Sequence, residues 1–329
     1  MITIMTNDAK QMTNDAKQMI NNQSTSNLLM IRPVSFGFNE QTAESNAFQT
    51  RGADQQKVQA NALAEFDGLV KVLTDNGVNV TVINDTMQPH TPDSIFPNNW
   101  ISFHAGGDVF LYPMQAVNRR LERREDIVKI LATQFNIKHV IDLSRFEHED
   151  RFLEGTGSMV LDRENKIAYA CLSPRTDRNA LATFCRQAGY KAVSFHAFDE
   201  NGLAIYHTNV LMCIGSQFAT ICLDSITDTN EKQLVINSLK ATNKEIIEIS
   251  FDQMNHFAGN MLEIKNVNED TLIVMSKSAY NSLTTHQISA LSKYGKLIYA
   301  DISTIETNGG GSARCMIAEV HLPVLVRGR

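Results

Sequence analysis

One arrangement recurs five times along this chain of 329 residues: a helical pattern, then a short strand, then a hairpin. The period is about 53 residues. In the first unit Val58, Ala62, Phe66, Leu69 and Leu73 fall three or four apart on one helix face, and Gly77 stops the helix. Val78, Val80 and Val82 alternate as in a half-buried strand, and a hairpin over 100–112 turns at Gly106-Gly107. The second unit predicts a helix through Leu121, Val128, Leu131 and Phe135, a strand over 137–141 and a hairpin over 158–172. In the third, a helix through Leu181, Phe184 and Ala188 stops at Gly189, with a strand over 192–195 and a hairpin over 209–223. The fourth unit reads as a helix over 231–241, a strand over 246–249 and a hairpin over 261–275. The fifth reads as a helix over 283–294 stopped by Gly295, a strand over 297–300 and a last hairpin beginning at 314–324. An apolar stretch at 28–32 supplies a strand to close the series. Such a period implies a radial or stacked array within a single α/β domain over 27–329, not two separate domains. Ahead of it, residues 1–26 are polar and carry a direct duplication, Thr6–Met12 repeated at Thr13–Met19, so a disordered tail is expected there.

The repeat also aligns polar residues. The position just before each hairpin's first strand holds Asn99, Glu154, His207, Asn260 and Cys315, at spacings of 55, 53, 53 and 55 residues. In a radial array these five fall on one ring around the axis. A carboxylate, an imidazole, a thiol and two amides on one ring are not what packing requires, so the ring is the candidate site.

Bulk properties exclude several classes. The formal charge is −6, from 30 Lys and Arg against 36 Asp and Glu, which argues against nucleic acid as a partner. No apolar run approaches the ~18 residues of a membrane span, and the start lacks a basic, apolar leader. The five cysteines, 171, 185, 213, 222 and 315, form no C-x-x-C pair. A disulfide framework or zinc finger is therefore not expected, and a cytoplasmic setting is. No metal or cofactor motif is present, neither H-E-x-x-H nor a phosphate-binding loop. The run 147–151, Glu-His-Glu-Asp-Arg, reads as a solvated loop and not as a metal site.

Five motifs make the ring specific: Asp93-Ser-Ile-Phe-Pro-Asn-Asn99, Leu153-Glu-Gly-Thr-Gly157, Leu172-Ser-Pro-Arg-Thr176, His207-Thr-Asn209 and Gly309-Gly-Gly-Ser-Ala-Arg-Cys315. In this order they resemble the guanidino-group-modifying superfamily of arginine deiminases, amidinotransferases and dimethylarginine dimethylaminohydrolases. The branch most similar is the citrulline-utilization-type hydrolases, whose chains begin much like Met30-Ile-Arg-Pro-Val-Ser-Phe-Gly-Phe-Asn39. The likeness covers about residues 28–325 and implies the pentein fold, a five-bladed α/β propeller with pseudo-five-fold symmetry. That agrees with the repeat count.

The resemblance implies Cys315 as nucleophile, acting as thiolate on a glycine turn formed by Gly309, Gly310 and Gly311. His207 is implied as general acid and base, and Glu154 as the group that orients it. Cys171, Cys213 and Cys222 lie in apolar strand patterns and Cys185 on a helix face, so all four are expected to be inert and buried. Asp93 would hold the head-group nitrogens, and Arg175 would pair with a substrate α-carboxylate in a forked geometry. Arg119 or Arg120 supplies a second carboxylate clamp or merely a solvated helix face. Asn209 and Asn260 are candidate pocket residues, and Asn260 alternatively closes a turn.

One departure is informative. Members that act on guanidinium groups carry Arg-Asp or Glu-Asp where this chain has Asn98-Asn99. An amide both donates and accepts, which suits a neutral ureido group better than a cation. The expected partner is thus a small ureido or guanidino amino acid, with citrulline first and ornithine as its product. Arginine or methylated arginine, amidino transfer to an amine, and a non-catalytic binding protein stay as alternatives; the present Cys and His argue against the last. A homo-oligomer is also left open.

Overall fold

The computed structural model describes residues 23–325, apart from 44, 45, 47 and 53. The duplicated segment and the rest of the expected tail to residue 22 lie outside the described residues. Fifteen strands are described, in five separate three-stranded sheets, and none of these closes on itself.

All five sheets share one plan. A first strand runs antiparallel to a second, the second is parallel to a third, and a helix crosses between second and third. Parallel neighbours require such a crossover, because no tight turn can join them. The sheet of β3 (Ile101–Phe103), β4 (Asp108–Leu111) and β5 (His139–Asp142) carries helix Glu125–Leu131. That of β6 (Val160–Asp162), β7 (Ile167–Cys171) and β8 (Lys191–Phe195) carries helix Arg178–Ala188. β9 (Met212–Ile214), β10 (Phe218–Ile221) and β11 (Glu245–Glu248) carry Thr229–Ala241. β12 (Leu262–Lys265), β13 (Thr271–Ser276) and β14 (Lys296–Ala300) carry Thr285–Leu291. The remaining sheet joins the chain's two ends: β1 (Asn27–Arg32) lies between β15 (Ala318–Glu319) and β2 (Asn79–Asn84), with helix Gln55–Asp75 as its crossover.

Helix boundaries follow from local chemistry. Asp54, Asp177 and Asp228 each accept two backbone N–H bonds at a helix start, and Gly189 ends its helix with φ +72°. Val58, Ala62, Phe66, Leu69 and Leu73 are all buried, as their spacing requires. Burying each of the larger side chains stabilises the fold by about 1.5–3 kcal/mol.

Two units differ from the sequence expectation. Leu121 is half exposed in a 3₁₀ segment, Asn118–Glu122, and the helix begins only at Glu125. The fifth helix, expected over 283–294, spans Thr285–Leu291 and starts at a capping box of Thr284 and Gln287, and a separate short helix that was not expected, Lys277–Ser282, precedes it. Residues 23–26, expected in the tail, are anchored. The Gln23 amide donates to the carbonyls of Leu161 and Ile214 at 2.9 and 3.2 Å, and Ser24 Oγ donates to Glu263 at 3.0 Å.

Burial grades from first strand to third. β3, β6, β9 and β15 are buried throughout, whereas β2 and β5 are largely exposed or half-buried. The first strands also touch one another, β15 with β3, β6 with β9 and β9 with β12. The interior therefore runs along the first strands, and the residues that lead into them start deep in the molecule. Among the described residues no helix is long and apolar enough to cross a membrane.

Candidate active site

Short helical turns lead into three of the first strands. Asn99 ends the turn Pro97–Asn99, Glu154 caps Gly155–Ser158, and His207 caps Thr208–Leu211. Glycine lets these turns touch. A methyl group on Gly157 would lie 2.5 Å from Asn99 Nδ2 and 2.8 Å from His207 Nδ1. One on Gly259 would lie 2.3 Å from the carbonyl oxygen of Val210, inside any permitted contact.

Cys315, His207, Asp93, Asn99, Arg119 and Arg175 line one cavity. Its volume is about 20 Å³, room for roughly one water. A substrate must therefore displace side chains to gain access. A larger hollow of about 330 Å³ beyond Tyr206 and Phe48 holds Asp199 and Glu200 but neither thiol nor imidazole.

Glu154 is fully buried and fully satisfied. Its Oε2 lies 2.9 Å from His207 Nε2 and receives Arg175 Nε at 2.9 Å, while Oε1 accepts the Gln115 N–H at 3.0 Å. Burial opposes its charge, but Arg175 and His207 outweigh it and hold the carboxyl well below the usual carboxylate range. With Nε2 committed to Glu154, Nδ1 is the His207 nitrogen left to exchange a proton. Burial and then Arg175 push His207 down to about 4 against the pull of Glu154, so the ring is neutral near pH 7. Tyr206 packs beside it with ring centroids 4.8 Å apart, and its hydroxyl donates to the Gly310 carbonyl at 2.7 Å. Tyr206 thus ties the histidine to the glycine turn that carries Cys315. No periodicity pointed to it; its place beside His207 was the available signal.

Cys315 is 6% exposed and its sulfur faces two amides, Asn260 Nδ2 at 3.3 Å and Asn209 Nδ2 at 3.4 Å. The other four cysteines are buried among apolar side chains, and burial pushes their thiols up, Cys171 to about 12 and Cys185, Cys213 and Cys222 to about 11.

Asp93 is buried with Oδ2 accepting from Asn39 Nδ2 at 2.7 Å, while Oδ1 has no partner. An unpaired carboxylate oxygen in a closed cavity is costly unless a ligand donates to it. Asn99 is oriented unambiguously. Arg119 Nη1 can only donate, and it reaches Asn99 Oδ1 at 2.7 Å, which leaves Nδ2 beside His207.

Several expectations need correction. Arg119 is no free clamp: Glu122 holds it through Nε and Nη2 at 2.9 and 3.0 Å, so its role is to fix Asn99. Arg120 lies outside the cavity, donating to the carbonyls of Met114 and Gln115. Arg175 cannot offer a fork, because Nε and Nη2 are both on Glu154, at 2.9 and 2.8 Å; only Nη1 is unpaired. Asn98 is fully buried and accepts from Asn99 at 3.0 Å without lining the cavity. Asn209 and Asn260 do not line this cavity either; both face the sulfur of Cys315. Glu147, assigned to a solvated loop, is nearly buried and bonded to Arg123 and the Met114 N–H. Among the described residues no group of three or more His, Cys, Asp or Glu is placed to hold a metal ion.

Comparison with known proteins bears on the family and the fold. The family model for N,N dimethylarginine dimethylhydrolase, eukaryotic, matches residues 32–322. No curated protein matches the chain in sequence. Among solved structures, the N-terminal domain of an ArgZ variant covalently bound to a reaction intermediate is 18% identical with a TM-score of 0.72, over 91% of this chain and 99% of that one. Apo ArgZ, an arginine dihydrolase from the ornithine–ammonia cycle in cyanobacteria, is 17% identical with a TM-score of 0.71; the match covers 91% of this chain but 41% of that one. A dimethylarginine dimethylaminohydrolase adduct with S-methyl-L-thiocitrulline is 16% identical with a TM-score of 0.61, over 89% and 98% of the two chains. The mixed α/β fold is that of these structures.

Proposed function

The chain belongs to the N,N-dimethylarginine dimethylhydrolase family; from that premise we propose that it is a cysteine-dependent hydrolase that cleaves carbon–nitrogen bonds of a ureido or guanidino amino acid, with Cys315, His207 and Glu154 as its catalytic groups. The carrying observation is that His207 and Cys315 line one small cavity, with Glu154 held behind the imidazole at 2.9 Å. The supporting architecture is five sheets of one topology, read as five blades of a pseudo-symmetric propeller in a single domain over 27–329.

In this reading His207 takes the proton of Cys315 on Nδ1, and the thiolate attacks the central carbon of the head group. His207 returns the proton to the departing nitrogen, which leaves as ammonia, and a carbon–sulfur bond holds the remainder on Cys315. Water, deprotonated by His207, then adds to that carbon and expels the thiolate. Glu154 keeps the ring oriented and stabilises its cationic form in between. From citrulline the group released from sulfur is the δ-carbamate of ornithine, which takes up a proton on nitrogen and loses carbon dioxide, so the products are ornithine, ammonia and carbon dioxide.

Head-group choice rests on Asp93 and Asn99. Asp93 Oδ1 is an acceptor without a donor, and Asn99 Nδ2 is a donor aimed beside His207. A ureido group offers N–H to the first and its oxygen to the second, which favours citrulline. Arg175 Nη1 is the remaining donor for the substrate carboxylate, as a single bond. Arginine is the second reading, since a guanidinium N–H also satisfies Asp93 and ArgZ is an arginine dihydrolase.

The test is a panel of citrulline, arginine, dimethylarginine and agmatine on wild type and Cys315→Ala, with and without an acceptor amine. Citrulline turnover that vanishes in Cys315→Ala supports the reading. Clear preference for arginine rejects the ureido assignment, and full activity of Cys315→Ala rejects the nucleophile.

A further inference from the structure

The two amides around the sulfur are held by the backbone, not by anything on the substrate side. Asn260 Oδ1 accepts the Arg314 N–H at 3.0 Å, and one N–H of its Nδ2 goes to the Asn209 carbonyl at 2.8 Å. A backbone N–H only donates, so the orientation of the amide is settled and its second N–H is the one that meets the sulfur at 3.3 Å. Asn209 adds its own Nδ2 at 3.4 Å, and its Oδ1 has no partner. Neither side chain lines the cavity shared by Asp93 and His207; Asn209 instead borders a second cavity of about 20 Å³ with Gln23, Arg314 and Glu319.

We propose that Asn209 and Asn260 hold Cys315 as a thiolate, each donating one side-chain N–H to the sulfur, and that neither binds substrate. The proposal rests on Cys315 being the nucleophile. When the thiol proton moves to His207, the electron pair stays on a largely buried sulfur, where charge-assisted N–H donors stabilise it most. The charged and titratable groups that face this sulfur across the cavity are Asp93, Arg119, Arg175, Tyr206 and His207, with Arg314 next in sequence. Asp93 opposes a second negative charge and the arginines favour it. Arg119 and Arg175 are engaged by Glu122 and Glu154, and Arg314 by Glu319 at 2.7 Å. The amides are the groups bonded to the sulfur itself; in the neutral form its S–H also reaches Asn260 Oδ1 at 3.7 Å, a longer contact than the two N–H bonds and one that ionisation removes.

The experiment alkylates the full chain with iodoacetamide at a series of pH values and follows the Cys315 peptide by mass spectrometry. Asn209→Ala is the main variant, because no other bond of that side chain is lost with it. The midpoint of the pH profile is expected to rise by about one unit in Asn209→Ala and in Asn260→Ala. The kcat on the best substrate should fall about tenfold in Asn209→Ala, with KM within about twofold. An unchanged midpoint with a raised KM in Asn209→Ala overturns the proposal and returns that residue to substrate binding. Should Asn209→Ala fail to fold, Asn209→Ser takes its place, with the same shift expected and the same unchanged midpoint overturning the proposal. Turnover surviving in Cys315→Ala would instead remove the nucleophile on which the proposal stands, a result separable from the alkylation profile.

Discussion

His207 Nε2 and Glu154 Oε2 meet at 2.9 Å in a pair with almost no contact with solvent, the two side chains being 3% and 0% exposed. Replacing Glu154 by Gln keeps the shape but removes the charge that favours the cationic ring. Glu154→Gln is therefore expected to lower kcat by about 10³–10⁴-fold while KM changes little. Steady-state kinetics on the best substrate checks this; a kcat within tenfold of wild type would remove Glu154 from the catalytic set.

Asn99→Asp tests head-group recognition. Arg119 still binds one oxygen, so the second carboxylate oxygen takes the place of Nδ2. An acceptor then stands where the ureido oxygen needs a donor. The ratio of kcat/KM for arginine over citrulline should rise at least about tenfold. A ratio that stays constant would show that this side chain does not read the head group.

Gly157→Ala places a methyl 2.5 Å from Asn99 Nδ2 and 2.8 Å from His207 Nδ1. Both must shift by a few tenths of an ångström or more. Activity is expected to drop about 100-fold, and stability by about 1–3 kcal/mol. Denaturant unfolding alongside the assay separates the two effects. Wild-type turnover would mean that the turns around this glycine can part without disturbing the chemistry.

Acid should destabilise the fold before its carboxylates titrate. His207 and His321 are each pushed down to about 4, mainly by burial, and His104 is lowered well below its ordinary value for the same reason. As pH falls from about 6.5 toward 4, the unfolded chain binds protons that the folded chain refuses, so stability falls in that window. Glu122 and Glu306, each raised to about 7 mainly by burial, act oppositely by favouring the fold as pH falls from about 7 toward 4.5, but they are two groups against three. Denaturation midpoints at pH 7, 6 and 5 should decline, and less steeply in His321→Gln. A flat profile would contradict the burial of these imidazoles.

The repeat carried the fold because strand and helix periods depend on local patterning, which survives in the sequence. The same period placed Glu154, His207 and Cys315 correctly relative to their strands. What it could not carry is direction. Arg119 and Arg120 are neighbours in one basic run, yet the first is buried against Glu122 and the second donates to outlying carbonyls. Nor does a motif reveal how many nitrogens of Arg175 remain once Glu154 has taken two. Asn39 lies far along the chain from Asp93, and Tyr206 from Gly310, so only the fold makes these pairs neighbours. Leu121 misled for a related reason: an apolar residue at helical spacing says nothing about whether the helix has yet begun.

The sheet that joins β1 to β15 has a consequence for synthesis. β1 leaves the ribosome well ahead of β15, so its pairing of Leu28 with Glu319 and Leu29 with Ala318 must wait until β2 to β14 have been made. Cys315 lies three residues ahead of β15, so its sulfur arrives with that strand. A growing chain carries His207 and Glu154 for many seconds before it carries Cys315, and under the proposed mechanism a product truncated ahead of residue 315 lacks its nucleophile.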